Sequence, residues 1–415
     1  MRWRLRPLII VAAKSRFLRG AVWTGDRKRR GRLLGVALGT GIGLVSRRAM
    51  AMGAMTADVV TFAGILGNEA SLRRLERGLA TGEVSHAYLF FGPPGVGKRM
   101  VARRFGAALV AGGDAGAEDR ARRGLHPDLT EVEPEGRFTT IPQVREVLRL
   151  AASRPFEGAR RCFILFADTL NVQAANALLK TLEEPEGESV FVLISASREG
   201  VLPTVASRAQ AVRFDPVPIP ELTRFLEERG VAEPGLVAAL GRGSVGLSLR
   251  YAEEDELREL REAVFEAGFA YSRDFEERHR AIGRILARAE TVGAAREKSY
   301  LEAFDEPDRR SKDGAKRAGR AARDAAVGEA LELLALVYRD AAVIRAGAPE
   351  LAANVDRMEE IKRRVSESPE ADWAGAALSL GESRASLAYN VSPEAILEVA
   401  LSRIRRKILV YYPGS

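Results

Sequence analysis

The chain has a single cysteine, Cys162, and only three histidines, His86, His126 and His279, in 415 residues. A lone thiol excludes both a disulfide framework and a cysteine-rich zinc site, and it fits a reducing, cytoplasmic compartment. No two histidines stand at metal-ligand spacing, so no metal centre is expected. Long apolar runs are missing as well. The stretches "LIIVAA" and "LLGVALGTGIGLV" are shorter than the roughly 18 to 20 residues that a bilayer-spanning helix needs. The body of the chain also lacks a basic surplus. Net charge is +8, but residues 1–55 carry thirteen Lys or Arg against one acid, Asp26, which leaves −4 for residues 56–415. Bulk electrostatics therefore give the body no nucleic-acid signature. The basic extension reads as an over-extended start or a disordered leader. Targeting stays the alternative, although "RKRRGR" between the two apolar runs suits a signal peptide poorly.

From "AYLFF" onward, short apolar runs alternate with amphipathic segments. Four strands are expected, in "AYLFF", "RRCFILFA", "SVFVLIS" and "AVRFDPV". Helices are expected after Lys98, with Met100, Val101, Phe105, Leu109 and Val110 inward. Others are expected over "IPQVREVLRLAAS" and over "NVQAANALLKTLEE", the last with Val172, Ala175, Leu178, Leu179 and Leu182 on one face. "AGGDAGAEDRARRG" reads as a loop. The strands stop after "DPVPIP", and the rest is helical in pattern. It is interrupted by "FDEPDRRSKDGAKRAGRAARDAA", which reads as a solvated loop or an extended helix connection, with a nucleic-acid arm as the alternative. The expected divisions are a basic extension over 1–55, an α/β domain with a mostly parallel sheet over 56–216, a small helical lid over 217–254, and an all-helical region over 255–415.

"GPPGVGK" sits between an expected strand and helix with the spacing of a phosphate-binding loop. In such a loop the glycines, here Gly92, Gly95 and Gly97, let backbone N–H groups approach phosphate oxygens, and Lys98 adds a charge. The next residue should be a Ser or Thr that ligates magnesium; it is Arg99, which cannot. The carboxylates that should end the central strand are replaced by Leu165 and Phe166. Asp168 lies two residues further on, where a turn or cap carboxylate and a shifted metal ligand are the competing readings.

"SHAYLFFGPPGVGK", "HPDL", "TIPQVREVLR", "NVQAANALLKTLEEP" and "VLPTVASR" resemble bacterial clamp-loader subunits of the AAA+ class, and "NVSPEAILEVALSRI" is similar to the end of the delta-prime type from DNA polymerase III. The resemblance covers most of residues 60–415. It implies an ATPase-like domain, a helical lid and a helical collar that joins subunits in a ring. It further implies gamma- or tau-type motor subunits, a clamp-opening delta subunit, a sliding clamp and primed DNA as partners. The departures at Arg99, Leu165 and Phe166, with Gly246 in place of a nucleotide-sensing arginine, point to the non-hydrolysing stator of such a loader. Static ATP binding stays open. The family's zinc-binding cysteines are missing between the first helix and "HPDL", so zinc is not carried over. Arg208, in "VASR", takes the place of a finger reaching the ATP of a neighbouring motor; an ordinary surface arginine is the competing reading. An ATP-hydrolysing motor of the same complex and a stand-alone P-loop NTPase tethered by its basic leader are the alternatives for the whole chain.

Overall fold

The structure, a computed structural model, describes residues 62–134, 138–185, 187–270, 275–302, 304, 308–385 and 391–409. The basic extension lies outside them. Among the described residues no helix is long and apolar enough to cross a membrane.

Five parallel strands form one sheet: β1 (Ala87–Phe91), β2 (Leu129–Val132), β3 (Arg161–Phe166), β4 (Ser189–Ser195) and β5 (Gln210–Arg213), in the order β2-β3-β4-β1-β5. Every residue of β4 is buried, as expected of a central parallel strand covered on both faces. Side chains alternate across the sheet. Tyr88, Phe90, Ile164 and Val192 face one side and pack with Val101, Phe105 and Leu109 of α2 (Lys98–Ala111). Leu89, Phe163, Leu165 and Leu193 face the other, against Val144 and Val147 of α4 (Ile141–Ala151) and Ala175 and Leu178 of α5 (Val172–Glu183). Burying each large apolar side chain contributes about 1.5–3 kcal/mol. α1 (Glu69–Thr81) covers the β5 edge, where Ser71 Oγ donates to the carbonyl of Arg213.

The four expected strands are present, and the structure adds to or corrects the expectations in four places. β2 was not anticipated; it is a short edge strand, half-exposed over three of its four residues, so "LTEV" carries no continuous apolar signal. α3 (Ala115–Arg122) replaces the expected loop. The Asp114 carboxylate accepts from the N–H groups of Gly116 (2.7 Å) and Ala117 (3.1 Å), a cap that starts a helix whatever its charge content. Met100 and Val172 are exposed. Met100 lies a 100° turn away from the inward Val101, and Val172 opens α5 beyond the packed face.

α6 (Pro203–Ala206) precedes β5, and after that strand every element is helical. These are α7 (Ile219–Glu227), α8 (Pro234–Gly241), α9 (Val245–Glu253), α10 (Asp255–Gly268), α11 (Phe275–Leu301), α12 (Arg309–Arg345), α13 (Met358–Glu367), α14 (Trp373–Ala385) and α15 (Pro393–Ile408), with short 3-10 turns between. From Arg309 on, the charged stretch expected as a solvated loop or extended helix connection forms the first half of α12; its residues 305–307 lie outside the described ones. Its low apolar content has a packing reason: a Cβ on Gly319 would lie 3.0 Å from the Gly293 carbonyl oxygen of α11, and one on Gly293 would lie 2.9 Å from that of Gly319. Small residues are what let these two backbones approach. Leu222, Leu226, Val237 and Tyr251 of α7 to α9 share one hydrophobic cluster with Leu260, Ile285, Leu334 and Trp373 of the later helices.

Candidate functional site

Gly92, Gly95 and Gly97 take φ of 145°, 77° and 99° between β1 and α2, conformations that favour glycine. Gly92 is also fixed by contact, because a Cβ there would lie 1.9 Å from the carbonyl oxygen of Phe214. Gly97 caps α2 with no side-chain acceptor, which leaves the first N–H groups of the helix without an intrahelical partner, as in an anion site. Lys98 is buried and folds back, its Nζ donating to the carbonyls of Gly92 and Pro93 (2.6 Å for Pro93). Burial lowers its pKa to about 8, partly offset by the negative charge of Asp168.

Arg99 is turned away from the loop. Its Nε donates to Glu131 Oε1 (2.5 Å), its other end pairs with Glu133, and its guanidinium carbon lies 5.4 Å from the centre of the Phe166 ring. Arg103 shares Glu131 at 2.5 Å. A metal-ligating hydroxyl and carboxylate have thus been replaced by a cation resting beside a phenyl ring, with the charge balanced by β2 and the residue after it. Leu165 is fully buried in the core. This site does not fit magnesium. Asp168 accepts from Ser195 Oγ (2.5 Å) and from the Ala196 N–H (2.7 Å), so its carboxylate ties the ends of β3 and β4 together. It is not the cap of α5, since Asn171 fills that role by accepting from the Ala174 N–H.

The helical unit closes directly on the phosphate loop. The Gly246 N–H donates to the Gly95 carbonyl at 3.2 Å. A Cβ on Gly95 would meet Ser244 Oγ at 1.9 Å, while that same Oγ caps α9 by accepting from the Leu247 N–H at 3.1 Å. Gly246 is therefore a point of close backbone approach. The backbone of the loop would suit a phosphate, but the ammonium that would meet it is occupied by two carbonyls, and the start of α9 sits against Gly95.

Arg208 follows α6 and immediately precedes β5, at the N-terminal side of the parallel sheet. It donates to the Thr204 carbonyl (2.7 Å) and to the Glu183 carboxylate at the end of α5, and its side chain stays about one-third exposed. Glu183 was not singled out in the sequence; it lies 25 residues away, and only the "TLEEP" helix end beside "VASR" could have hinted at it. Further from the loop, His126 and Asp128 of "HPDL" are buried. Asp128 accepts from the N–H groups of Phe156, Glu157 and Gly158 and pairs with Arg161. On the collar, ligand atoms of His279, Glu394 and Glu398 lie within 4.8 Å of one another, a juxtaposition that histidine spacing alone could not reveal; the set is largely exposed, and side chains of this kind are common on surfaces.

The model of the family described as "DNA polymerase III, delta subunit" matches residues 67–218. The delta-prime subunit of Bacillus subtilis DNA polymerase III is 25% identical over 339 residues, covering 79% of this chain and 93% of that relative. The chain is thus similar to a delta-prime subunit over most of its length, while the family model covers a little over a third of it. The delta-prime subunit of Pseudomonas aeruginosa is 39% identical over 135 residues, 30% of this chain and 41% of the relative. The tau subunit of Escherichia coli is 32% identical over 206 residues, 46% of this chain and 32% of the relative. The chain therefore spans less than half the length of these last two relatives, whereas the Bacillus delta-prime subunit matches along nearly its whole length.

Proposed function

We propose that this chain is the non-hydrolysing stator of a DNA polymerase III clamp loader, helping to place a sliding clamp on primed DNA. The observation that carries the reading is the state of Arg99, held by Glu131 and Glu133 over Phe166 where a hydroxyl and a carboxylate would have to hold magnesium. Phosphoryl transfer depends on positioning and charge neutralisation by that metal, so the chain's own loop has no route to turnover. ATP binding without hydrolysis would require Lys98 to leave the Gly92 and Pro93 carbonyls.

Arg208 is the residue we assign to catalysis in trans. A guanidinium stabilises charge on the transferring phosphoryl group without a nucleotide in its own subunit. Its partial exposure at the end of α6 supports the assignment. The partners in this reading are gamma- or tau-type motor subunits, a clamp-opening delta subunit, the clamp and primed DNA, in the cytoplasm. Residues 56–216 form the ATPase-like unit, 217–254 the lid and 255–415 the collar.

The purified chain should hydrolyse no ATP above background. In a loader reconstituted with motor and delta subunits, Arg208→Ala should lower turnover at the affected site by on the order of 10³-fold. Robust turnover by the chain alone that vanished on Lys98→Ala, or a DNA-stimulated rate unmoved by Arg208→Ala, would overturn the reading.

A further inference from the structure

The distal half of the α11–α12 hairpin carries a charge distribution that neither the core nor the phosphate loop explains. Residues 309–323 hold seven Lys or Arg and one acid, Asp313, in a body whose charge is otherwise acidic. At 100° per residue, Arg309, Lys312, Lys316 and Arg320 fall within a sector of about 80° on one face. All four are exposed. None takes part in an ion pair among the described residues, whereas Arg323, closer to the core, pairs with Glu290 and Asp324.

These cations are also misplaced for helix stability. Arg309 and Lys312 lie in the first turn of a 37-residue helix, where the macrodipole opposes cations, although the Asp308 carboxylate caps that end. Mutual repulsion at i,i+4 adds to the cost. Meanwhile contacts beside and behind the row hold the helix rigidly. Gly319 and Gly293 bring the two backbones together, Ala315 is buried, and a Cβ on Gly314 would come 2.8 Å from the Tyr300 hydroxyl. A cationic row that weakens its own helix yet is mounted on a close-packed prong is arranged for an anionic partner.

We infer that this prong is a docking surface for the phosphate backbone of DNA, with Arg309, Lys312, Lys316 and Arg320 as its contacts. The row rises about 6 Å per i,i+4 step and about 16 Å in all, a stretch over which one strand presents four or five phosphates at roughly 3.4 Å of rise each. A membrane surface fits less well. An interfacial helix sets large apolar residues beside its cations, whereas the positions flanking this row are Gly319 and Ala315 on one side and Asp313 and Arg317 on the other. The inference is independent of the role proposed for Arg208.

The test uses the full chain and a fluorescent primed duplex, with binding followed by anisotropy across a salt series. The basic extension is the same in every variant and so cancels in the comparison. The triple variant Lys312→Gln, Lys316→Gln, Arg320→Gln should lose at least about 10-fold in affinity at low salt, and the slope of log K against log salt should fall by about 2 to 3, since each phosphate contact contributes roughly 0.9. Its thermal midpoint should stay level or rise, because Lys312, Lys316 and Arg320 repel one another at i,i+4 spacing, and this guards against misfolding as the cause. The milder Lys312→Gln, Lys316→Gln pair should fall between. An unchanged affinity and slope would overturn the inference. So would a loss confined to vesicles of anionic lipid, or to an acidic peptide, with DNA binding intact.

Discussion

Replacing Asp128 by alanine should cost about 4 kcal/mol of stability, and the number can be worked from its contacts. The carboxylate accepts N–H bonds of 2.7 Å from Phe156, 2.9 Å from Glu157 and 2.9 Å from Gly158, and Arg161 Nε lies 3.1 Å away. Hydrogen bonds to a charged group contribute about 1.5–3 kcal/mol each, but the released amides are only part-buried and regain water. Breaking a buried pair costs about 3–5 kcal/mol, which sets the expected loss near the middle of that range. For a urea m-value of about 2 kcal/mol/M, the midpoint should fall by roughly 2 M. Asp128→Asn keeps one acceptor oxygen and should lose about half as much. The pH dependence supplies a second arm. Burial alone would raise the carboxyl pKa, yet the three backbone donors and Arg161 together hold it below its ordinary value. The contribution is therefore present above the unfolded carboxylate range and is lost as pH falls through the lower folded value, whereas Asp128→Ala should show a flatter acid limb. A loss under about 1 kcal/mol, well below the range for a broken buried pair, or an acid limb identical to that of the parent, would refute the knot described here.

Three further outcomes are expected. Glu183→Ala should lower ATP turnover of the reconstituted loader through kcat with little change in KM, and by less than Arg208→Ala, because Glu183 positions the guanidinium without touching nucleotide; equal kcat values in parent and variant would remove that role while leaving Arg208 intact. Gly95→Ala places a Cβ 1.9 Å from Ser244 Oγ at a φ of 77°, so it should destabilise by about 1–3 kcal/mol and raise the accessibility of the 244–247 amides in hydrogen exchange; unchanged protection there would count against the seam. Stability governed by Lys98 should rise between about pH 8 and its unfolded value of 10.5, because its folded pKa is depressed by burial and deprotonation relieves that cost; Lys98→Met should remove the rise, as read by denaturation at stepped pH.

Legibility in the sequence followed burial. β1, β3 and β4 were readable because strands covered on both faces carry unbroken apolar runs. β2 and α3 were not, since one is a half-exposed edge and the other owes its start to a single cap carboxylate among charges and small residues. At the loop, the sequence identified Arg99 as a misfit but not its partners, because Glu131 and Glu133 reach it only when β2 takes the sheet edge. Gly246 was legible as a lost arginine. Its contact with Gly95 was not, since a glycine chosen for closeness and one left by loss look alike in one sequence. The first half of α12 misled for a related reason. Tight helix pairing through glycine and alanine has the composition of a linker.

Helices α7 to α9 share their core with α10 to α15, and the link is reinforced where Glu329 of α12 accepts from Arg242 and from the Tyr251 hydroxyl. Helices α7 to α15 thus form one packed unit, joined to the sheet unit by the short segment 214–218 and resting on it at the Gly95–Gly246 contact. A force applied to α10–α15 would turn about that segment, with the phosphate loop as the bearing. In the stator reading proposed above, that loop would resist motion and pass displacement from adjacent subunits on around the ring instead of absorbing it.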